Sequence, residues 1–180
     1  MILKAHGCGG EAVLYDVSLS EEPLRALVDV RGGPGLRDAV ADALGVVLPD
    51  HPNTVDRRGN ITALWLGPDE WLVAAPEAEE DRVARALEAA TAGAHAVATV
   101  VSDSLRIFRL SGADARHVLA QGCALDLHPR VFSPGRCART GFAKTDVLLH
   151  QLDDAPTYDI YIDRSYATYL WRWLTEAVDL

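Results

Sequence analysis

The chain has 180 residues, 49% of them apolar, with 17 Lys and Arg against 26 Asp and Glu and a formal net charge of -9. That apolar share builds a core at this length and excludes intrinsic disorder, while the carboxylate surplus repels phosphate backbones, and the one adjacent basic pair, Arg57-Arg58, makes no stripe to overcome it. No run of about 18 apolar residues marks a membrane span, Met1 to Gly10 is too glycine-rich for a secretory signal, and three cysteines without CxxC spacing, Cys8, Cys123 and Cys137, suit reduced thiols in a cytoplasmic protein.

Leu24, Ala26, Val28 and Val30 alternate with Arg25, Leu27, Asp29 and Arg31, the period of a strand with one buried face, and Gly32-Gly33-Pro34-Gly35 ends it. Leu36, Ala39, Val40, Ala43 and Leu44 then recur at helical spacing up to Gly45, a C-cap residue. Pro49 to Asn60 is rich in Pro, Asn, Asp and Gly and reads as a loop. Ile61 to Leu66 and Trp71 to Ala75 read as a hairpin around Gly67-Pro68-Asp69-Glu70. Pro76 opens an acidic first turn, Glu77 to Asp81, and Val83, Ala86, Leu87 and Ala90 form the stripe of a second helix closed by Gly93.

Strands over Ala94 to Val101 and Leu105 to Leu110 flank the polar Ser102-Asp103-Ser104. Ser111, three residues before Asp114, has the spacing of a capping box for a third helix that carries Val118 and Leu119 and ends near Gly122. Leu125 to Cys137, with two prolines and no period, reads as an ordered surface loop. Val147 to Leu149 and Tyr158 to Ile162 are strand-like, turning at Asp153-Asp154 and Pro156. The last helix starts near Ser165, with Tyr166, Tyr169, Leu170, Trp173, Leu174 and Ala177 on its inner face and Trp171 off it. The element order is a split βαβ used about twice. It predicts an α+β fold of two ferredoxin-like halves, about residues 24–102 and 103–180, folding as a single domain after an N-terminal extension over residues 1–23.

The motifs of chemistry are sparse. The chain has no GxSxG, HExxH, GxxxxGK[ST] or helix-opening GxGxxG. Gly32-Gly33-Pro34-Gly35 lies where amides hold anions, but Pro34 removes one of them and a plain turn is the expectation. His6 with Cys8, and Cys123 with His128 and Cys137, lack the paired spacing of a zinc site, so core thiols are expected. Arg130, Arg136 and Arg139 give only weak reason to suspect an activated thiol at Cys123 or Cys137. Asp103 reads as a turn former rather than a base, and Arg164 as a pin of the last helix or a reach toward a neighbouring chain. Trp171 is either covered by a loop or an anchor for a partner.

Leu66-Gly67-Pro68-Asp69-Glu70-Trp71-Leu72, Ser111-Gly112-Ala113-Asp114-Ala115-Arg116, Gly122 to Pro129, Phe132 with Pro134-Gly135, and Arg164-Ser165-Tyr166-Ala167 with Tyr169-Leu170-Trp171 stand in register. Together they resemble the gamma subunit of heterotetrameric sarcosine oxidase, over roughly Leu24 to Ala177. The resemblance implies a fold similar to the folate-binding module of the glycine-cleavage aminomethyltransferase and the N-terminal domain of a tRNA-modifying GTPase. It implies a non-catalytic accessory subunit that itself binds no cofactor or metal. FAD, FMN, NAD and tetrahydrofolate are implied for the complex, which demethylates sarcosine to glycine and passes the one-carbon unit to tetrahydrofolate. The implied partners are the alpha, beta and delta subunits, alpha foremost, with no nucleic acid and no membrane. The contact residues expected on this reading are Trp171, His128, Arg130 and Arg136. Three other functions stay open beside it. One is a stand-alone folate-binding one-carbon transferase with a pocket around Asp103 and Arg109; the others are a subunit of a related N-methylglutamate dehydrogenase and an assembly protein for another partner.

Overall fold

The computed structural model describes residues 15–178; His6 and Cys8 lie outside them. Contacts divide the chain into two compact units, Leu24–Asp103 on one hand and the segment up to Pro23 with Ser104–Leu180 on the other.

The Leu24–Asp103 unit contains β2 (Arg25–Gly32), α1 (Leu36–Leu44), β3 (Val55–Arg58), β4 (Ile61–Gly67), β5 (Glu70–Pro76), α2 (Glu80–Thr91) and β6 (Ala96–Val100), the preceding strand β1 (Ser18–Glu21) belonging to the other unit. Its antiparallel sheet has the order β3-β4-β5-β2-β6. Val28 and Val30 of β2 and Trp71 and Val73 of β5 close a core with Leu36 and Val40 of α1 and Val83 and Leu87 of α2. The predicted helices and the β4–β5 hairpin are all present. The Gly45 amide donates to the Ala41 carbonyl at 2.8 Å to end α1, and the Trp71 indole donates to the Pro49 carbonyl at 2.7 Å. The segment read as loop from Pro49 to Asn60 holds β3, an edge strand whose four residues include one apolar side chain and so carry no period.

The other unit contains β1 (Ser18–Glu21), β7 (Leu105–Ser111), α3 (Ala115–Ala120), β8 (Cys137–Phe142), β9 (Thr145–Asp153), β10 (Thr157–Asp163) and α4 (Ala167–Val178), in the antiparallel order β1-β7-β10-β9-β8. Each sheet therefore contains the four-strand split βαβ arrangement plus one added edge strand, β3 or β8. In the second unit the fourth strand of the motif comes from the opposite end of the chain. It is β1, paired with β7 so that Leu19 faces Leu110 and both are fully buried. The described part of the segment set aside as an extension over residues 1–23 is thus built into the sheet. Ser-Leu-Ser-Glu has one apolar residue, too few to announce a strand.

The route into β1 also decides how α3 begins. Gly112 has φ +125°, and a Cβ there would lie 2.1 Å from the Asp16 carbonyl oxygen, so the incoming chain lies directly on it. Asp114 caps nothing in its own helix; its carboxylate accepts from the Asp16 amide at 2.9 Å and meets His117 Nδ1 at 3.1 Å. The predicted capping box does not form because Ser111 is spent as the last residue of β7.

Two outcomes follow from this junction. Gly112→Ala forces a side chain into left-handed backbone and onto the Asp16 carbonyl, and thermal unfolding should show a loss of at least about 1–3 kcal/mol. The hydrogen bond from the Asp16 amide, then the one with His117, holds the Asp114 carboxyl below its ordinary 3.8. Its folded value being depressed, the stability it adds is present above the unfolded value and lost as pH falls through the folded one. Asp114→Asn should flatten the fall in melting temperature as pH drops below about 5.

Candidate functional site

The candidate site grows from α4 and the sheet it covers. The buried positions of α4 are Leu170, Leu174, Ala177 and Val178, and they enter one core with Phe108, Leu110, Phe142, Tyr158 and Ile160. This shifts the helix face from the one expected. Tyr166 and Tyr169 are 53% and 43% exposed, and the Tyr169 hydroxyl donates to the Ala143 carbonyl at 2.5 Å. A tyrosine at the edge of an apolar stripe keeps its ring on the surface and its hydroxyl hydrogen-bonded, so the aromatic count alone misplaced the phase. Trp171 and Trp173 flank the true stripe on either side. Trp173 meets Phe142 edge-on at 5.0 Å above Gly122, where a Cβ would lie 2.8 Å from the indole.

Trp171 is partly buried against the Phe108 ring, 5.1 Å away and tilted by 59°. Of the two covers weighed for it, loop or partner, the structure supplies a third, the sheet itself. The two rings floor an open cleft of about 490 Å³ lined by Glu21, Arg106, Arg164, Ala167 and Thr168. Arg106 and Phe108 alternate on one face of β7, and Glu21 of β1 is the register partner of Phe108. Arg106 donates to the Leu105 carbonyl at 3.0 Å and stands 3.9 Å from the Glu21 carboxylate. Asp163 fixes the start of α4 by accepting from the Ser165 hydroxyl at 2.5 Å and the Ser165 amide at 2.8 Å, and these bonds hold its carboxyl below the ordinary value. Arg164 is exposed at the cleft rim rather than serving as a pin. Glu21, Arg106, Phe108 and Thr168 were not singled out from the sequence. The signal for Arg106 and Phe108 was present in the two-residue alternation of their strand.

The other expected contact residues lie elsewhere in the same unit, in the loop before β8. None of them lines the Trp171 cleft. His128 is used locally: its Nδ1 accepts from the Arg130 amide at 3.2 Å and its amide donates to Asp126 at 2.9 Å. Arg130 is exposed, and Arg136 is half-buried with its carbonyl accepting from the Gln151 amide at 3.0 Å. The loop is ordered, as expected, by Leu127 and Phe132, both buried, with Phe132 stacked over Tyr158 at 6.4 Å. Its end departs from the reading, because Cys137 begins β8.

The candidates for chemistry are bound into the fold. Arg109 donates to both Asp159 oxygens, at 2.8 and 3.0 Å, and reaches Glu22 at 2.7 Å. Burial pulls its guanidinium down, but the hydrogen bond and charge of Asp159, then the charge of Glu22, outweigh it and raise the pKa. Asp103 and Arg109 fall in different compact units, and the side chain that fixes the turn beside Asp103 is Ser102, whose Oγ accepts from the Leu27 amide at 2.9 Å. Cys123 and Cys137 are buried and in no disulfide, with Cys123 Sγ 3.8 Å from the Thr140 hydroxyl. Among the described residues no group of three or more His, Cys, Asp or Glu stands together to hold a metal ion, and no helix is long and apolar enough to cross a membrane. At Gly32 a Cβ would lie 2.5 Å from that of Ala96, so close approach of strands accounts for that glycine.

Residues 19–179 match the sarcosine oxidase, gamma subunit family. A sarcosine oxidase subunit gamma from Arthrobacter sp is 35% identical over 173 residues, which cover 94% of this chain and 81% of that protein. The chain belongs to the sarcosine oxidase gamma subunit family. A chain of the heterotetrameric sarcosine oxidase from Corynebacterium sp. U-96 superimposes with a TM-score of 0.84 at 29% identity, covering 91% of this chain and 86% of that one. The glycine cleavage system aminomethyltransferase T from Bartonella henselae matches with a TM-score of 0.66 at 14% identity, over 89% of this chain and 45% of the other, which shows a shared fold. The gamma-subunit fold is thus an α+β arrangement akin to the aminomethyltransferase.

The ion pair supplies the prediction here. Asp159 is fully buried, so Arg109→Met leaves a carboxylate without its main partner in a low-dielectric site. Chemical denaturation should show a loss of about 3–5 kcal/mol, several times that of Arg31→Met at an exposed pair.

Proposed function

We propose that this chain is a non-catalytic accessory subunit of a heterotetrameric sarcosine oxidase, packed against the larger subunits of the complex. Its partners on this reading are the alpha, beta and delta subunits, with alpha the main contact. The complex oxidises the N-methyl group of sarcosine, releases glycine and passes the one-carbon unit to tetrahydrofolate. FAD, FMN, NAD and tetrahydrofolate are held by the larger subunits. The absence of a disulfide at Cys123 and Cys137 is in keeping with a cytoplasmic location.

The observation that carries the reading is the likeness to the Arthrobacter gamma subunit along nearly the whole chain. The accessory role is supported by how the reactive side chains are spent: Arg109 on Asp159 and Glu22, and His128 on the Arg130 amide. The proposed contacts are Trp171 at its cleft and, separately, the loop bearing His128, Arg130 and Arg136, where Val131 is 56% exposed. A large apolar side chain this exposed beside arginines is the composition of a contact surface.

Co-expression with the larger subunits tests it by size exclusion. The wild-type chain should comigrate with them, and Trp171→Ala should reduce the comigrating fraction. A monodisperse monomer that ignores those subunits and binds tetrahydrofolate would replace this reading with that of a stand-alone transferase.

A further inference from the structure

The cleft between α4 and β7 has a chemistry of its own. Its floor is two packed aromatic rings, Phe108 and Trp171, and its rim carries two guanidinium groups, Arg106 and Arg164, against one carboxylate, Glu21. The chain as a whole carries a charge of -9, so a locally cationic rim on an aromatic floor selects an anionic occupant out of an otherwise repelling field. Arg106 spends one donor on its own strand's Leu105 carbonyl, and Glu21 at 3.9 Å is too far for a hydrogen bond. That arginine therefore has donors left for a carboxylate. Arg164, held at the rim by the Asp163–Ser165 turn beneath it, is exposed.

Resting on the accessory-subunit reading, we propose that this cleft receives an acidic segment of a larger subunit, an apolar side chain seated on Phe108 and Trp171 with its neighbouring Asp or Glu paired to Arg106 and Arg164. An apolar centre inside a charged rim is the layout of a protein contact, and Trp and Arg are the residues that dominate such contacts. An open cleft with its polar groups at the edge suits a segment laid across it better than a small molecule enclosed within it.

The test is co-expression of the larger subunits with the double variant Arg106→Glu, Arg164→Glu, alongside Arg106→Gln, Arg164→Gln as a control for folding. The proposal expects the wild-type complex to weaken between about 50 and about 500 mM salt. It also expects charge reversal to weaken assembly by tenfold or more, with the Gln pair intermediate and its melting temperature unchanged. If the wild type comigrates and the charge-reversed chain does so equally well, the cleft proposal falls and the accessory reading stands. If the wild type does not comigrate at all, both fall. Titration of the isolated chain with 5-formyltetrahydrofolate is the second arm: saturable binding lost in the charge-reversed variant while assembly is untouched would overturn the proposal in favour of a small-ligand pocket.

Discussion

Arg109 stands in register with Ser20 of β1 on one side and Asp159 of β10 on the other, and its guanidinium bonds to Asp159 and to Glu22 just past β1. One side chain therefore ties three neighbouring strands. The pair is costly to break because Asp159 is fully buried, and losing the guanidinium that meets both of its oxygens leaves a buried charge far less compensated. A slip of β10 by one residue would move Asp159 off Arg109 and turn Tyr158 and Ile160 out of the core at once. Charge and packing thus specify the same alignment, which is how a four-residue strand from the far end of the chain keeps its place.

The cleft is a consequence of that alignment. With Leu19 opposite Leu110, Glu21 falls opposite Phe108, and the two-residue period brings Arg106 to the same face. The helix side is set independently, by Leu170, Leu174 and Ala177 entering the core and by the bare backbone of Gly122 making room for Trp173. Trp171 then sits over Phe108. The cleft's aromatic floor is part of the structural core, while the arginines at the rim make few internal bonds, so the same cleft joins a packed floor to a charged edge.

Dense periodicity made α1, α2 and the β4–β5 hairpin readable, and five motifs in register made the family readable in the sequence. What escaped has a common cause. β1, β3 and β8 are edge strands of four to six residues, held by backbone hydrogen bonds that leave little trace in side-chain pattern. The phase of α4 escaped because tyrosines count as apolar on a wheel, yet Tyr166 and Tyr169 sit exposed at its border, the Tyr169 hydroxyl donating to the Ala143 carbonyl.

The sequence by itself determined the α+β class, the doubled split βαβ order and membership of the sarcosine oxidase gamma subunit family, because these rest on local period and on motifs contiguous along the chain. Tertiary structure alone decided that β1 completes the sheet of the second unit, that Arg109 pairs with Asp159 and Glu22, and that Arg106, Arg164 and Trp171 share a cleft. Each of these joins residues far apart in the chain through pairing and burial, and a linear pattern records that a residue is apolar or charged but not which distant residue it will meet.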